Sequence, residues 1–136
     1  MAKNVKISRG VDINLVGKAE EKLGAIDSTT VALKPTDFHG VIPKLEVKEG
    51  DEVKAGTPLF HDKANENTKF VSPVSGEVAE VVRGAKRRIL EVRLLADKET
   101  KFENFDVSGV NSADKAGTIE ILQRGGQWPL IKKRPF

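Results

Sequence analysis

The stretch from Leu45 to Val82 constrains the fold more than any other part of the chain. It holds two glycine-punctuated segments, Val47-Lys48-Glu49-Gly50-Asp51-Glu52-Val53-Lys54-Ala55-Gly56-Thr57-Pro58-Leu59-Phe60 and Val71-Ser72-Pro73-Val74-Ser75-Gly76-Glu77-Val78. Gly50, Gly56, Pro73 and Gly76 read as turn-makers, and the apolar pieces between them are short. Lys44 to Lys48 alternates, with Leu45 and Val47 on one face; Arg88 to Leu94 does the same with Leu90, Val92 and Leu94. Short strands at intervals of roughly 8–12 residues suggest a barrel or sandwich. The two segments resemble each other loosely, as the halves of a pseudo-symmetric β module would.

The remaining elements are simpler. Val5-Lys6-Ile7 alternates and predicts a short strand, while Gly10, Gly17 and Gly24 punctuate a poorly periodic region up to Ser28. Thr29 to Leu33 is β-prone and stops at Lys34-Pro35. Leu59-Phe60 and Phe70-Val71 flank a polar stretch, Lys63 to Thr68, predicted to be a loop. Gly76 to Val82 is β-rich without strict alternation, which predicts a strand buried on both faces. Ala96 to Asp106 is charged and irregular. Ser112 to Arg124 predicts the one helix, capped by Ser112 or Asn111 and closed by Gly125-Gly126. These elements divide the chain into an N-terminal extension over 1–28, a β module over 29–95, and a linker and helix over 96–136. The ending Arg134-Pro135-Phe136 reads as the start of a following domain.

The chain has 136 residues, enough for one compact domain with an appendage. Hydrophobic residues make up 38% and charged residues 32%, a globular and slightly polar balance. No apolar run approaches the roughly 20 residues that cross a bilayer as a helix, and the first residues lack the apolar stretch of a secretory signal. With no cysteine, disulfides, thiol catalysis and Cys-ligated zinc are excluded. The net charge is only +3, but two basic clusters stand out, Arg83 to Arg88 and Lys132-Lys133-Arg134. They read as solvated loop charge or as a contact with anionic lipid, nucleotide or an acidic partner face.

Candidate chemistry is sparse. His39 and His61 are 22 residues apart in sequence, and Asp62 beside His61 faces the other side of a strand, so no metal site is expected. Gly125-Gly126 is followed by Gln127-Trp128-Pro129 and opens no helix, which rules out a dinucleotide-binding turn. Aromatic content is 5% without tyrosine, too little for base stacking among basic residues. The sequence supplies no catalytic centre.

Asp62-Lys63-Ala64 is the remaining signal. Lipoyl carriers display a modified lysine in such a tripeptide at a hairpin tip, between a Gly-Asp-x-Val-x-x-Gly segment and a Pro-x-x-Gly segment. Gly50, Asp51, Val53, Gly56, Asp62, Lys63, Ala64, Pro73 and Gly76 match by type. The spacing differs: only Leu59-Phe60-His61 precedes the lysine where a longer acidic strand is usual, and a polar stretch without strand character follows it. This predicts Lys63 away from a symmetric tip, and leaves a free-standing carrier with Lys63 modified as an alternative.

A second resemblance spans nearly the whole chain. Ile7-Ser8-Arg9-Gly10-Val11-Asp12-Ile13, Phe38-His39-Gly40, Gly50 to Lys54, Pro58-Leu59-Phe60, Asp62-Lys63, Pro73 to Gly76, Arg83-Gly84-Ala85-Lys86-Arg87 and Gly126-Gln127-Trp128-Pro129 through Arg134-Pro135-Phe136 occur in one order and spacing. The sequence thereby resembles the N-terminal part of the A subunits of sodium-translocating NADH:quinone oxidoreductases. The resemblance implies a mainly β fold with one C-terminal helix, a barrel-sandwich hybrid of the lipoyl/biotinyl-like kind. It implies a peripheral subunit on the cytoplasmic side of the bacterial inner membrane. No covalent cofactor is implied; ubiquinone or menaquinone is the substrate of the complex, and flavin and iron–sulfur groups sit in partner subunits. A quinone head needs an apolar slot with hydrogen-bond donors. Phe38, His39 and Gly40, and Trp128, Arg134 and Phe136, are the expected quinone contacts. Arg83, Lys86 and Arg87 are the expected docking residues toward a membrane partner subunit.

Overall fold

The computed structural model describes residues 6, 10, 16–17, 20–24, 28–107 and 114–131. Among the described residues, seven strands and one α-helix make up the fold: β1 (Thr30–Leu33), β2 (Pro43–Leu45), β3 (Glu52–Val53), β4 (Pro58–Asp62), β5 (Asn65–Val71), β6 (Gly76–Arg83), β7 (Ile89–Ala96) and α1 (Lys115–Arg124). The strands form two antiparallel sheets, one in the order β1-β7-β6-β3 and one in the order β2-β4-β5. This is the mainly β architecture with a single helix that the glycine spacing predicts. Val5 and Ile7 lie outside the described residues.

The core is shared by both sheets. Leu59, Phe60, Val78, Val92 and Leu94 are fully buried, with Val47, Val53, Phe70 and Ile89 nearly so. Phe60 and Phe70 are cross-strand partners whose rings stack at 4.8 Å, an arrangement that adds to simple area burial. Leu59 and Phe60 are consecutive yet both buried, because the register shifts between Pro58 and Phe60. An irregularity of that kind lets adjacent side chains escape strict alternation.

Register shifts also correct two expectations. Gly76–Arg83 is not buried on both faces: Gly76 and Val78 point in, Glu77 and Ala79 out, and a shift between Val78 and Glu80 restarts the pattern. In β7, Val92 and Leu94 are inside as expected, but a shift at Arg83 gives the inner place at the strand's start to Ile89, and Leu90 lies against Gly84. The largest correction concerns the predicted loop Lys63 to Thr68. Asn65 is already in β5, paired with Asp62, so Lys63-Ala64 is a two-residue hairpin turn. Ile42 N–H and Ala64 N–H both donate to Asp62 Oδ1 at 3.2 Å, and Lys63 N–H donates to the Ile42 carbonyl at 2.8 Å. Pairing and side-chain bridges such as Lys44–Glu66 at 3.2 Å hold a polar sequence in a ribbon that its propensity does not favour. Lys63 therefore sits at a hairpin tip after all.

After β7 the chain returns to the module. Ser75 Oγ donates to Asp97 Oδ2 at 2.9 Å and accepts from Lys101 N–H at 2.9 Å. Ala55 N–H donates to the Lys101 carbonyl at 2.9 Å, and Glu103 N–H to the Ala55 carbonyl at 2.8 Å. α1 starts at Lys115 and its cap is Asp114, whose Oδ1 accepts from Gly117 N–H at 2.8 Å; Ser112 and Asn111 lie outside the described residues. The end follows the expected glycine closure. Gln127 N–H reaches the Leu122 carbonyl at 2.9 Å across Gly126, whose φ is +68°.

Candidate functional site

The expected quinone contacts are dispersed. The Phe38 ring lies 4.5 Å from Phe70 and, half-buried, packs against the core, so it braces the sheet. His39 is exposed, and Gly40 makes a turn with φ +78° that turns the chain toward β2. Trp128 is half-buried in a helical turn over Trp128–Leu130 that packs against β5. Arg134 and Phe136 lie outside the described residues. None of Phe38, His39, Gly40 or Trp128 lines the cleft that fits a ring best.

That cleft has a volume of about 600 Å³. Its floor is Ala55, Gly56 and the end of β5 at Val71, Ser72 and Pro73; one wall is Phe102, Phe105 and Val107, and the other is the α1 side chains Thr118, Ile121 and Leu122. The stitching of Lys101 and Glu103 to Ala55 holds Phe102 at the rim, where it is 68% exposed. On the helix side, Gly126 brings the end of α1 onto β5: a Cβ there would stand 2.5 Å from Val71 Cγ1. The walls are overwhelmingly apolar. The polar side chains at hand are few: the Ser72 and Thr118 hydroxyls, which donate to the Val74 and Asp114 carbonyls, Glu103, which accepts from Thr57 Oγ1 at 3.2 Å, and the Gln127 amide, which makes a 3.4 Å contact to the Gly125 carbonyl. An apolar slot with one available amide donor suits a planar ring bearing a carbonyl. Sequence reasoning passed over this wall as irregular chain. The signal was present as three apolar residues, Phe102, Phe105 and Val107, in an otherwise charged stretch.

Elsewhere the polar groups mostly pair with one another. His61 is buried in β4, with Nδ1 2.7 Å from Glu46 Oε1, and Lys69 reaches the other Glu46 oxygen at 3.4 Å. Its Nε2 is buried without a hydrogen bond, 3.9 Å from Glu66 Oε1. The hydrogen bond from Lys44, with its charge and that of His61, holds the Glu66 carboxyl below the usual glutamate range. Glu91 is likewise depressed, chiefly by its 2.9 Å bond from Arg93, whose own guanidinium is raised. Lys44–Glu66 bridges two strands, while Glu91–Arg93 is a pair within β7 whose arginine also reaches Glu80 of β6 at 2.7 Å. Among the described residues no three His, Asp or Glu side chains converge as metal ligands.

The architecture agrees with a comparison against known families. The model of the NqrA N-terminal barrel-sandwich hybrid domain matches residues 5–97. The chain belongs to this family. It is 35% identical over 135 residues to the A subunit of the Na(+)-translocating NADH-quinone reductase of Actinobacillus succinogenes, covering 97% of this chain and 30% of the relative. The protein of the same description from Vibrio anguillarum is 36% identical over 135 residues, with the same two coverages. One from a Marinomonas species is 34% identical over 134 residues, covering 96% of this chain and 30% of the relative. The chain thus spans about 30% of the length of the curated relatives it matches. The matched residues contain the cleft's β floor; its aromatic and helical walls follow them in the chain.

Proposed function

We propose that this chain works as the N-terminal module of a subunit of a sodium-pumping NADH:quinone reductase, lying peripherally on the cytoplasmic side of the bacterial inner membrane. It contributes a rigid β scaffold for assembly with the other subunits and one apolar cleft that receives a quinone ring, ubiquinone or menaquinone, during NADH-driven quinone reduction coupled to Na+ export. The observation that carries this reading is the similarity over nearly the whole chain to reductase subunits. The Phe102, Phe105 and Ile121 cleft adds a ring-sized apolar slot. Flavin and iron–sulfur groups are assigned to the partner subunits, and this module supplies the scaffold beside them. Trp128 borders the cleft through Gln127, whereas His39 stays a solvent-side neighbour of the Phe38 brace.

The test is labelling with a photoreactive quinone. Crosslinks on Phe102 to Val107 or on α1, competed by unlabelled quinone and lost in Leu122→Glu, are the expected result. Labelling that never falls within these 136 residues would remove quinone contact from the reading and leave assembly alone.

A second reading has one observation in its favour: Lys63 occupies a two-residue hairpin turn, where an acylated lysine could swing. Intact mass after co-expression with a lipoate ligase separates the two. The expected mass is unmodified; stoichiometric lipoylation of Lys63 would make the chain a carrier.

A further inference from the structure

The connection between β6 and β7 is the most strained segment described. Arg88 N–H donates to the Ala85 carbonyl at 3.2 Å, closing a turn whose two central residues are Lys86 (φ 55°, ψ 29°) and Arg87 (φ 61°). Consecutive left-handed residues define the type I′ hairpin turn, which sequences normally fill with Asn-Gly because other side chains are strained there. Here both places hold long cations. Arg83 and Arg88 flank them, and all four side chains belong to exposed residues. Whereas Lys34, Lys44, Lys54, Lys69, Arg93 and Lys101 each pair with a carboxylate, none of these four makes an ion pair with a described residue. Among the described residues, the one side-chain hydrogen bond of the tip cations is Arg83 Nη1 to the Arg87 carbonyl at 3.4 Å.

We infer that this hairpin tip is an electrostatic anchor to a bilayer surface bearing anionic phospholipid headgroups. The hairpin accounts for the left-handed backbone, which Arg88 N–H to the Ala85 carbonyl and Gly84 N–H to the Arg88 carbonyl close, but nothing in the fold calls for cations at both central places, and four exposed cations without a carboxylate partner point to an external one. The tip also lacks what a protein interface needs at its centre. From Arg83 to Arg88 the largest apolar side chain is Ala85, while Ile89 is buried and Leu90 is turned onto Gly84. Protein contacts draw their energy from buried aromatic and aliphatic anchors over roughly 1,000 Å² or more. A convex tip of four free cations suits a diffuse anionic surface, which rewards charge without shape, and Arg and Lys meet phosphate groups well. A surface docking role toward a membrane partner protein, expected for Arg83, Lys86 and Arg87, is thereby redirected to the lipid beside it. The inference is independent of quinone contact at the cleft.

Co-sedimentation of the 136-residue chain with phosphatidylcholine vesicles, with and without phosphatidylglycerol, tests it. Binding should require phosphatidylglycerol and weaken as salt shortens the screening length. Each cation near such a surface is worth about a fivefold change in affinity, so Lys86→Asn with Arg87→Gly should weaken binding roughly thirtyfold. That pair installs the Asn-Gly turn the backbone prefers, so its melting temperature should rise and lost binding cannot be ascribed to unfolding. Arg83→Gln with Arg88→Gln should weaken binding comparably. Equal binding to neutral vesicles, or undiminished binding by the Asn-Gly variant, overturns the inference. So does failure of the intact chain to bind anionic vesicles while capture by the remaining subunits depends on Arg83, Lys86 and Arg87; the anchor would then be an acidic protein face.

Discussion

Gly76 and Gly84 lie at the two ends of β6, and the same substitution should have opposite fates there. At Gly76, φ is +151° and a Cβ would stand 1.8 Å from the Leu95 carbonyl oxygen and 2.9 Å from its carbon. The obstacle is backbone of the adjacent strand, where Gly76 pairs with Ala96 and, on its other side, with Val53. Gly76→Ala must separate β6 from β7 at this point. A glycine-only conformation forced on alanine costs about 1–3 kcal/mol, and each displaced ladder hydrogen bond adds about 1 kcal/mol. With one or two bonds lost, the total is roughly 2–5 kcal/mol, a large share of the ~5–15 kcal/mol that holds a domain. At Gly84, φ lies in the ordinary range and the nearest atom is Leu90 Cδ1 at 3.0 Å, the end of a flexible side chain. Gly84→Ala should change stability by less than about 1 kcal/mol. Urea unfolding of both variants at unchanged m-value reads the difference directly. If Gly76→Ala unfolds within about 1 kcal/mol of the parent chain, the close approach of β6 and β7 is not the constraint the geometry describes.

Other consequences follow from the core and the bridges. Phe60→Ala removes a fully buried ring stacked on Phe70 and should destabilise by about 3–5 kcal/mol in the same denaturation experiment, with a lowered midpoint and no gain in Phe70 protection. Glu66 and Glu91 have folded-state carboxyl pKa values below the ordinary 4.5, so each binds its proton more weakly when folded than when unfolded. Their stabilisation is complete above pH 4.5 and is lost as pH falls through the depressed folded values; a melting temperature followed from neutral pH downward should decline in that window, less steeply in Glu66→Gln and in Glu91→Gln. Gly126→Ala sets a Cβ against Val71 at a positive φ and should loosen α1 from β5, seen as faster amide exchange over Ile121 to Arg124 with the β6–β7 ladder unaffected.

The fold was largely legible because turn chemistry is local. Gly50 and Gly56 do adopt the positive φ that their turns demand, +88° and +104°, and the alternation placed Val47, Val92 and Leu94 inside, with Leu45 half-buried against them. What escaped were features decided between strands. Gly76 reads as a turn residue, yet it is kept free of a side chain by the Leu95 carbonyl across the ladder. The β bulges in β4 and β6 hide regular inward and outward alternation behind one displaced residue. Asn65 to Thr68 has little strand propensity, and only its partners Asp62 and His61 with Lys69 make it a strand. Asp114 rather than Ser112 caps α1, a difference of two residues that periodicity does not resolve.

The candidate site was legible only in outline for a related reason. Phe38, His39 and Trp128 were singled out by sequence order, but a ring slot is made by side chains that meet in space. Phe38 spends its face on Phe70, while the cleft draws Val71, Phe102 and Ile121 from three separate stretches joined through Ala55 and Gly126. Lys63 teaches the converse. Its neighbours match a carrier motif and the hairpin does present it, yet the turn is held by Asp62 accepting from Ile42 and Ala64, bonds that serve the hairpin itself. A fold-level position permits acyl transfer without supplying it, since function resides in the partners a site recruits. The basic tip at Lys86-Arg87 differs from Lys63 in another respect: hairpin closure by Arg88 N–H and Gly84 N–H explains its left-handed backbone, but not the choice of cations there, and among the described residues none of Arg83, Lys86, Arg87 or Arg88 has a carboxylate partner. Residues that the fold neither requires nor partners, more than motif resemblance, are what separate a surface shaped for an outside partner from one shaped by the fold.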